Sequence, residues 1–370
     1  AGHRKFVEVS PHPVLTAGVE DTAHDAGVAA LAVGTLRRDA GDLHRMLTSL
    51  AEAHVRGIPV NWSPCFPGAR SVDLPTYAFQ RKHFWLIAPS GHGDAADLGQ
   101  LASGHPLLAA EIGLADHDGL VLTGRVGPRT HPWLADHTIA GTVVLPGTAF
   151  VEMALHAAEQ AGCDVVDELT LQAPLTLPEG GAVALQAVVG PDVDGRRTIE
   201  FYSRPEQDAD AAWTRHAVGV LAEADAATPE PLTEWPPRGA EVVATAELYS
   251  ELAEQGYGYG PLFQGLRTAW KRDDVVYAEV ALPAAGRDAK FGVHPALLDA
   301  VLHATDFAPG EAREADEIRL PFAWTGVRLH ASGATEVRVR ITSPATGGVT
   351  LEVTDAAGTP VLSVESFRSR

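Results

Sequence analysis

The sequence predicts an α+β protein in which antiparallel strands wrap two apolar helices, and three observations predict it. Many short stretches alternate apolar and polar residues at the two-residue period of a half-buried strand. Two stretches, Thr148 to Gln160 and Ala296 to Thr305, are apolar nearly all round, the pattern of a helix enclosed by other elements. Aligned, these two read Glu152-Met153-Ala154-Leu155-His156-Ala157 and Asp299-Ala300-Val301-Leu302-His303-Ala304, 147 residues apart, which suggests two copies of one unit. A chain of 370 residues with 45% hydrophobic and 21% charged residues can bury a sizeable core, so disorder throughout is excluded.

Taken in order, the first 88 residues read as less than a domain. A strand over Phe6 to Val9 runs into the breaker Ser10-Pro11-His12-Pro13, and a helix starts at Asp42 with Leu43, Met46, Leu47, Leu50 and His54 at helical spacing before Gly57 stops it. The segment LPTYAFQRKHFWL, 74–86, is aromatic and broken by proline, as an extended connector packed on another surface would be. Residues 89–104 are small and polar, the composition of a flexible linker, which puts a domain boundary there. Strands follow at Gly119 to Val126, Val183 to Val189, Arg197 to Arg204, Trp213 to Leu221, Val275 to Leu282 and Glu336 to Ile341. Asp194-Gly195 and Asp355-Ala356-Ala357-Gly358 supply hairpin turns through residues that tolerate positive φ. Each apolar helix begins beside a proline, Pro146 or Pro295, as suits a helix start.

Composition removes several function classes. With 28 basic against 48 acidic residues, a net charge of −20 opposes general binding to nucleic acid or to an anionic membrane. Cys65 and Cys163 lie far apart and form no CxxC pair, so neither a disulfide framework nor a cysteine-ligated metal is expected, and a cytoplasmic setting is. The opening residues carry no apolar signal core, and no run of about 18 apolar residues predicts a membrane span.

Three segments carry chemistry. In His137-Thr138-Ile139-Ala140-Gly141-Thr142-Val143-Val144-Leu145-Pro146-Gly147 a histidine lies on a glycine-containing loop just before a helix, whose unpaired N–H groups suit a developing oxyanion. Histidine titrates near neutrality and can act as a general base beside a carbonyl; its bland alternative is a loop histidine bonded to backbone. Asp299 sits among alanine, leucine and valine, where a desolvated carboxyl would hold its proton and serve as an acid, with His303 one turn on to orient it; the alternative is a capping or ion-paired carboxylate. Gly256-Tyr257-Gly258-Tyr259-Gly260-Pro261-Leu262-Phe263 interleaves rings and hydroxyls with glycines that let backbone approach a ligand, or is simply a turn with packed aromatics.

From His105-Pro106-Leu107-Leu108 to the end, the chain resembles the dehydratase domain of modular type I polyketide synthases. The motifs HxxxGxxxxP, GYxYGPxF, the DxxxH close of HPALLDAVLH, and Leu320-Pro321-Phe322-Ala323-Trp324 occur in that family's order. The front resembles the end of an acyltransferase domain and the linker that follows it. The resemblance implies a double hotdog fold: two units, each an antiparallel sheet wrapping a long helix, over 105–370.

It also implies one composite site. In related fatty-acid dehydratases the acid comes from the opposite hotdog, which here makes it Asp299 rather than Glu152; 147 residues after His137 stands Ala284, so the second half has lost its histidine. By resemblance His137 takes the α-proton of a 3-hydroxyacyl thioester and Asp299 protonates the departing hydroxyl. Tyr259 and His303 orient the hydroxyl and the acid, Gly141 and Pro146 shape the histidine loop, and the Gly147 N–H polarises the thioester carbonyl. No metal or organic cofactor is implied. The substrate arrives on the phosphopantetheine of an acyl carrier protein, the partners are that carrier, neighbouring synthase domains and a second copy, and Arg267, Lys271 and Arg272 form a candidate docking patch or a plain solvated surface. Competing functions are a silent structural domain, a metal hydrolase using His131, Asp136, His137 and His294, and an isomerase or pyran-forming cyclase on the same fold.

Overall fold

The computed structural model describes residues 2–70, 95–208, 210–223, 229, 231–287, 290–309, 318–345 and 347–370. The aromatic connector 74–86 and the first part of the 89–104 linker lie outside the described residues. The chain divides into two compact units, Ala1–Leu86 and Ile87–Arg370.

The first unit holds β1 (Lys5–Glu8), α1 (Thr16–Asp25), β2 (Leu31–Gly34) and α2 (Leu43–Val55). Strands β1 and β2 pair in parallel, which requires a crossover, and α1 supplies it. Helix α2 starts where its sequence dictates, with the Asp42 carboxylate accepting the Arg45 N–H at 2.8 Å as an N-cap. Helix α1 buries none of its residues, so it lacks the apolar stripe by which a sequence announces a helix. The unit's core is small, with Ala32, Val33 and Ala53 buried while Val9, Val55 and Leu43 are exposed.

The second unit carries β3 (Leu101–Ala102), β4 (Ala110–Gly113), β5 (Leu120–Val126), the short β6 (His137–Ile139) and β7 (Thr142–Val143), α3 (Gly147–Gln160), β8 (Val165–Leu171), β9 (Val183–Val189), β10 (Arg196–Pro205) and β11 (Thr214–Ala222). It continues with β12 (Glu241–Val243), α4 (Leu248–Glu254), β13 (Tyr257–Tyr259), β14 (Leu266–Arg272), β15 (Val275–Ala281), α5 (Pro295–His303), β16 (Pro321–Leu329), β17 (Glu336–Thr342), β18 (Val349–Thr354) and β19 (Pro360–Ser369). The hairpin at Asp194-Gly195 has positive φ at both residues, +55° and +73°, the combination that matches a tight turn to the twist of its strands.

The repeat extends far beyond the helices. Among the described residues fourteen strands form one sheet, seven from each half, joined where β8 pairs antiparallel with β16 through Thr170 opposite Ala323 and Leu169 opposite Trp324. Outward from that junction the halves run β8, β11, β10, β9, β5, β4, β3 and β16, β19, β18, β17, β15, β14, β12, which is the same order of strands along the chain in each. The two expected sheets are thus one continuous sheet with two lobes. Each wraps the helix between its third and fourth strands, α3 in one and α5 in the other. The helices meet at equivalent residues, the Thr148 hydroxyl donating to the Pro295 carbonyl at 3.0 Å across a sequence distance of 147.

Burial explains why both helices lack a polar face. Phe150, Val151, Met153 and Ala154 on α3 and Leu297, Leu298, Ala300 and Val301 on α5 are all buried, and together with the inner face of the sheet they form one hydrophobic core. The sheet begins inside the segment that composition assigns to the linker, because Leu101–Ala102 pairs with Glu111 and Ala110 by backbone alone, which leaves no side-chain signature. Strand β4 is flanked on both sides by strands of its own chain, β3 and β5, and β3 forms the edge of the sheet.

Candidate active site

The histidine loop is a two-strand hairpin turning on Ala140 and Gly141, both at positive φ (+47° and +78°). This geometry explains the spacing from His137 to Gly141, since a β-hairpin this tight favours glycine in the left-handed region. Strand β13 from the other half adds to the hairpin, with Tyr259 opposite His137, Gly258 opposite Thr138 and Tyr257 opposite Ile139. The glycines between the tyrosines are required by this approach: a Cβ on Gly258 would lie 2.1 Å from the Thr138 hydroxyl, and one on Gly260 would lie 2.5 Å from the Asp136 carboxyl carbon. Asp136 locks the two loops together by accepting the Leu262 N–H at 3.0 Å through its carboxylate and the Gly260 N–H at 2.7 Å through its carbonyl.

His137 is 5% exposed and donates Nδ1–H to the Val144 carbonyl at 2.8 Å. That bond fixes the tautomer and leaves the lone pair on Nε2. Burial holds the imidazole below its ordinary pKa, against the opposing pull of the nearby Asp299 carboxylate and the Val144 carbonyl, so the ring is a neutral base at physiological pH. Tyr259 and Phe263 pack against it, with ring centroids at 5.6 and 5.0 Å.

Asp299 is 4% exposed on α5. Its Oδ2 lies 3.2 Å from His303 Nε2, out of line for a hydrogen bond, and neither atom has a hydrogen-bond partner among the described residues. A buried carboxylate oxygen left this way carries a desolvation cost that a ligand would relieve. His303 also contacts Tyr259, centroid to centroid 4.4 Å, and Tyr249 on α4.

Pro146 is the N-cap of α3 and Gly147 its first residue, packed so closely that a Cβ there would lie 2.8 Å from Pro321 and 2.9 Å from Leu171. His137, Gly147, Phe150, Tyr259, Asp299 and His303 all line one cavity of about 610 Å³. Gly141 and Pro146 act from behind, as the turn and the cap. A neutral base, a carboxyl group and a helix N-terminus around one cavity can remove a proton beside a carbonyl, protonate a leaving group and hold a developing oxyanion.

Glu152 goes elsewhere. His105 accepts the Leu107 and Leu108 N–H groups at Nδ1, both at 3.0 Å, so its proton is on Nε2, which donates to Glu152 Oε2, while Oε1 accepts the Gly292 N–H at 3.0 Å. Beside them is a cavity of only about 100 Å³, also lined by His156 and Lys290. Where the second half would hold a histidine, Ala284 opens a short 3-10 turn to Gly286.

The four residues weighed as metal ligands are committed separately. His131 Nε2 bonds the Pro106 carbonyl at 2.9 Å, His294 caps α5 by accepting the Ala296 N–H at 3.1 Å, and Asp136 and His137 are engaged as described. In the candidate basic patch the Lys271 ammonium reaches the Phe307 carbonyl and the Arg272 guanidinium the Arg238 carbonyl, both at 3.4 Å. The motifs named His137, Tyr259, Asp299 and His303, but not Tyr249, nor the parts played by Asp136 in joining the two loops and by His105 in bonding Glu152. Each of these acts through a contact that no local spacing encodes.

Two hotdog lobes sharing one histidine and one acid across their junction define a class, the double-hotdog dehydratases. Residues 105–204 match the polyketide synthase dehydratase domain, residues 227–370 the polyketide synthase dehydratase N-terminal domain, and residues 1–60 the acyl transferase domain. The chain is 51% identical over 376 residues to the polyketide synthase GfsE of Streptomyces halstedii, a match that covers 99% of this chain and 10% of that much longer protein. It superposes on the dehydratase domain from the terminal module of the rifamycin polyketide synthase with a TM-score of 0.70 at 43% identity, covering 75% of this chain and 100% of that one. On the bifunctional dehydratase-cyclase domain in ambruticin biosynthesis the values are 0.66 and 44%, with 74% and 99% covered. The chain belongs to the polyketide synthase dehydratase family. Its described residues contain no helix long and apolar enough to cross a membrane.

Proposed function

We propose that the second unit dehydrates a 3-hydroxyacyl thioester to a 2,3-enoyl thioester, with His137 as general base and Asp299 as general acid. The observation that carries this reading is the pairing, in one cavity, of a neutral imidazole with its lone pair on Nε2 and a buried carboxyl oxygen without a hydrogen bond. His137 Nε2 takes the α-proton, the electrons of that C–H bond form the double bond, the C3–O bond breaks, and the Asp299 proton leaves with the hydroxyl as water. The Gly147 N–H at the start of α3 meets the thioester oxygen, where negative charge develops. Tyr259, packed on both His137 and His303, shapes the space between base and acid. These steps need no metal or organic cofactor.

The substrate is carried on the phosphopantetheine arm of an acyl carrier protein, within a cytoplasmic synthase whose neighbouring domains flank this one, and two copies pair. The resemblance to modular synthases supports these partners. Incubation of the full chain with 3-hydroxyacyl thioesters, followed by mass spectrometry for loss of water, tests the reaction; recovery of unchanged thioester with every acyl chain would refute it. A pyran-forming activity is the second reading, favoured by the likeness to a dehydratase-cyclase domain, and a substrate with a distal hydroxyl would reveal it as a product isomeric with the enoyl thioester.

A further inference from the structure

The two ring nitrogens of His303 have different neighbours. Nε2 lies 3.2 Å from Asp299 Oδ2, and Nδ1 lies 3.4 Å from the hydroxyl of Tyr249, whose ring stands nearly perpendicular to the imidazole at 82°. The Tyr249 oxygen already accepts the Leu266 N–H at 3.0 Å, so its own proton points to His303 Nδ1. Burial pushes the Tyr249 phenol up to about 12, which keeps that proton in place. An imidazole that accepts at Nδ1 carries its own proton on Nε2, the nitrogen that faces the acid.

We propose that Tyr249 is a positioning residue for dehydration: it holds His303 in the Nε2–H tautomer, so that the nitrogen 3.2 Å from Asp299 Oδ2 carries a proton rather than a lone pair and leaves the acid's proton to the departing hydroxyl. The inference rests on the reading of Asp299 as the acid. With the other tautomer, Nε2 would offer a lone pair and draw the acid's proton away from the leaving hydroxyl. The groups facing His303 are Asp299 from its own helix, Tyr249 from α4 and Tyr259 from β13, and His137 is near enough for His303 to lower its affinity for a proton; Arg267 on β14 acts on Tyr249.

The test uses the full chain and a 3-hydroxyacyl N-acetylcysteamine thioester. Tyr249→Phe removes one hydroxyl, and we expect kcat to fall about tenfold with KM unchanged, the scale of one lost hydrogen bond. His303→Gln provides a side chain whose amide N–H donates to Asp299 without any tautomer to set, so the losses from the two substitutions should not multiply in the double variant. In histidine-labelled wild-type protein, nitrogen NMR should show the ring signal that disappears in His303→Gln as the Nε2–H form, and Tyr249→Phe should convert it to a mixture. Wild-type kcat in a folded Tyr249→Phe protein, multiplying losses, or an Nδ1–H signal in wild type would each overturn the proposal. A wild-type protein that dehydrates nothing would instead refute the parent reading, and the NMR result would still decide the role of Tyr249.

Discussion

The two lobes repeat each other strand for strand, yet their helices use equivalent acids in opposite ways. On α5, Asp299 faces a cavity of about 610 Å³ with a carboxylate oxygen that makes no hydrogen bond; on α3, Glu152 faces one of about 100 Å³ with both oxygens bonded, to His105 and to the Gly292 N–H. Even the histidines one turn on differ, His156 meeting the Ser103 hydroxyl at 3.1 Å and His303 the Tyr249 hydroxyl. A buried acid whose bonds are complete contributes to stability, whereas one left incomplete is available to a substrate. The repeat therefore holds one acid open to a cavity and one closed by its bonds.

Substitutions should separate the two. His137→Ala and Asp299→Asn should lower turnover the most, by roughly 10²- to 10⁴-fold for the loss of the acid and at least as much for the base, with melting temperatures near that of wild type. Glu152→Gln should do the reverse. Its amide would set a donor against the His105 Nε2–H, costing about 1–3 kcal/mol of stability while leaving kcat nearly unchanged in the folded protein. A Glu152→Gln protein that melts normally but cannot dehydrate would move the acid to the first lobe and invert the comparison.

Acid should weaken both lobes. Burial pushes His294, which caps α5, down to about 4, and burial with the neighbouring His105 pushes His156 beside the closed site down to about 4. Each folded-state value lies below the value of about 6.5 in the unfolded chain. The unfolded state therefore takes up more protons between those two values, so stability is full above pH 6.5 and declines as pH falls toward 4. Melting temperatures measured across that range should fall with acidification, and His156→Gln should flatten the slope. The smallest effect is expected from the front: a chain starting at Ile87 should still unfold cooperatively and keep its dehydration rate. A large loss would show that the first unit supports the lobes.

Much of this was legible in the chain. The alternation over Val183–Val189 and Glu336–Thr342 marks strands because one face is buried, and the all-round apolarity of α3 and α5 marks helices enclosed by sheet. The spacing from His137 through Gly141 to Pro146 is local, since one hairpin and one helix start impose it. Helix α1 escaped for the opposite reason, having no buried face to produce a pattern.

The sequence by itself determined the longer alternating strands, the two enclosed helices, the glycine-containing histidine loop and the repeat of 147 residues, because each is written in periods and spacings of neighbouring residues. Only the tertiary structure decided that fourteen strands join as one sheet, that β13 seats Tyr259 opposite His137 from about 120 residues away, that His105 occupies Glu152 and that Tyr249 reaches His303. Those are contacts between residues far apart in the chain, and their geometry exists only once the hydrophobic core has brought the two lobes together.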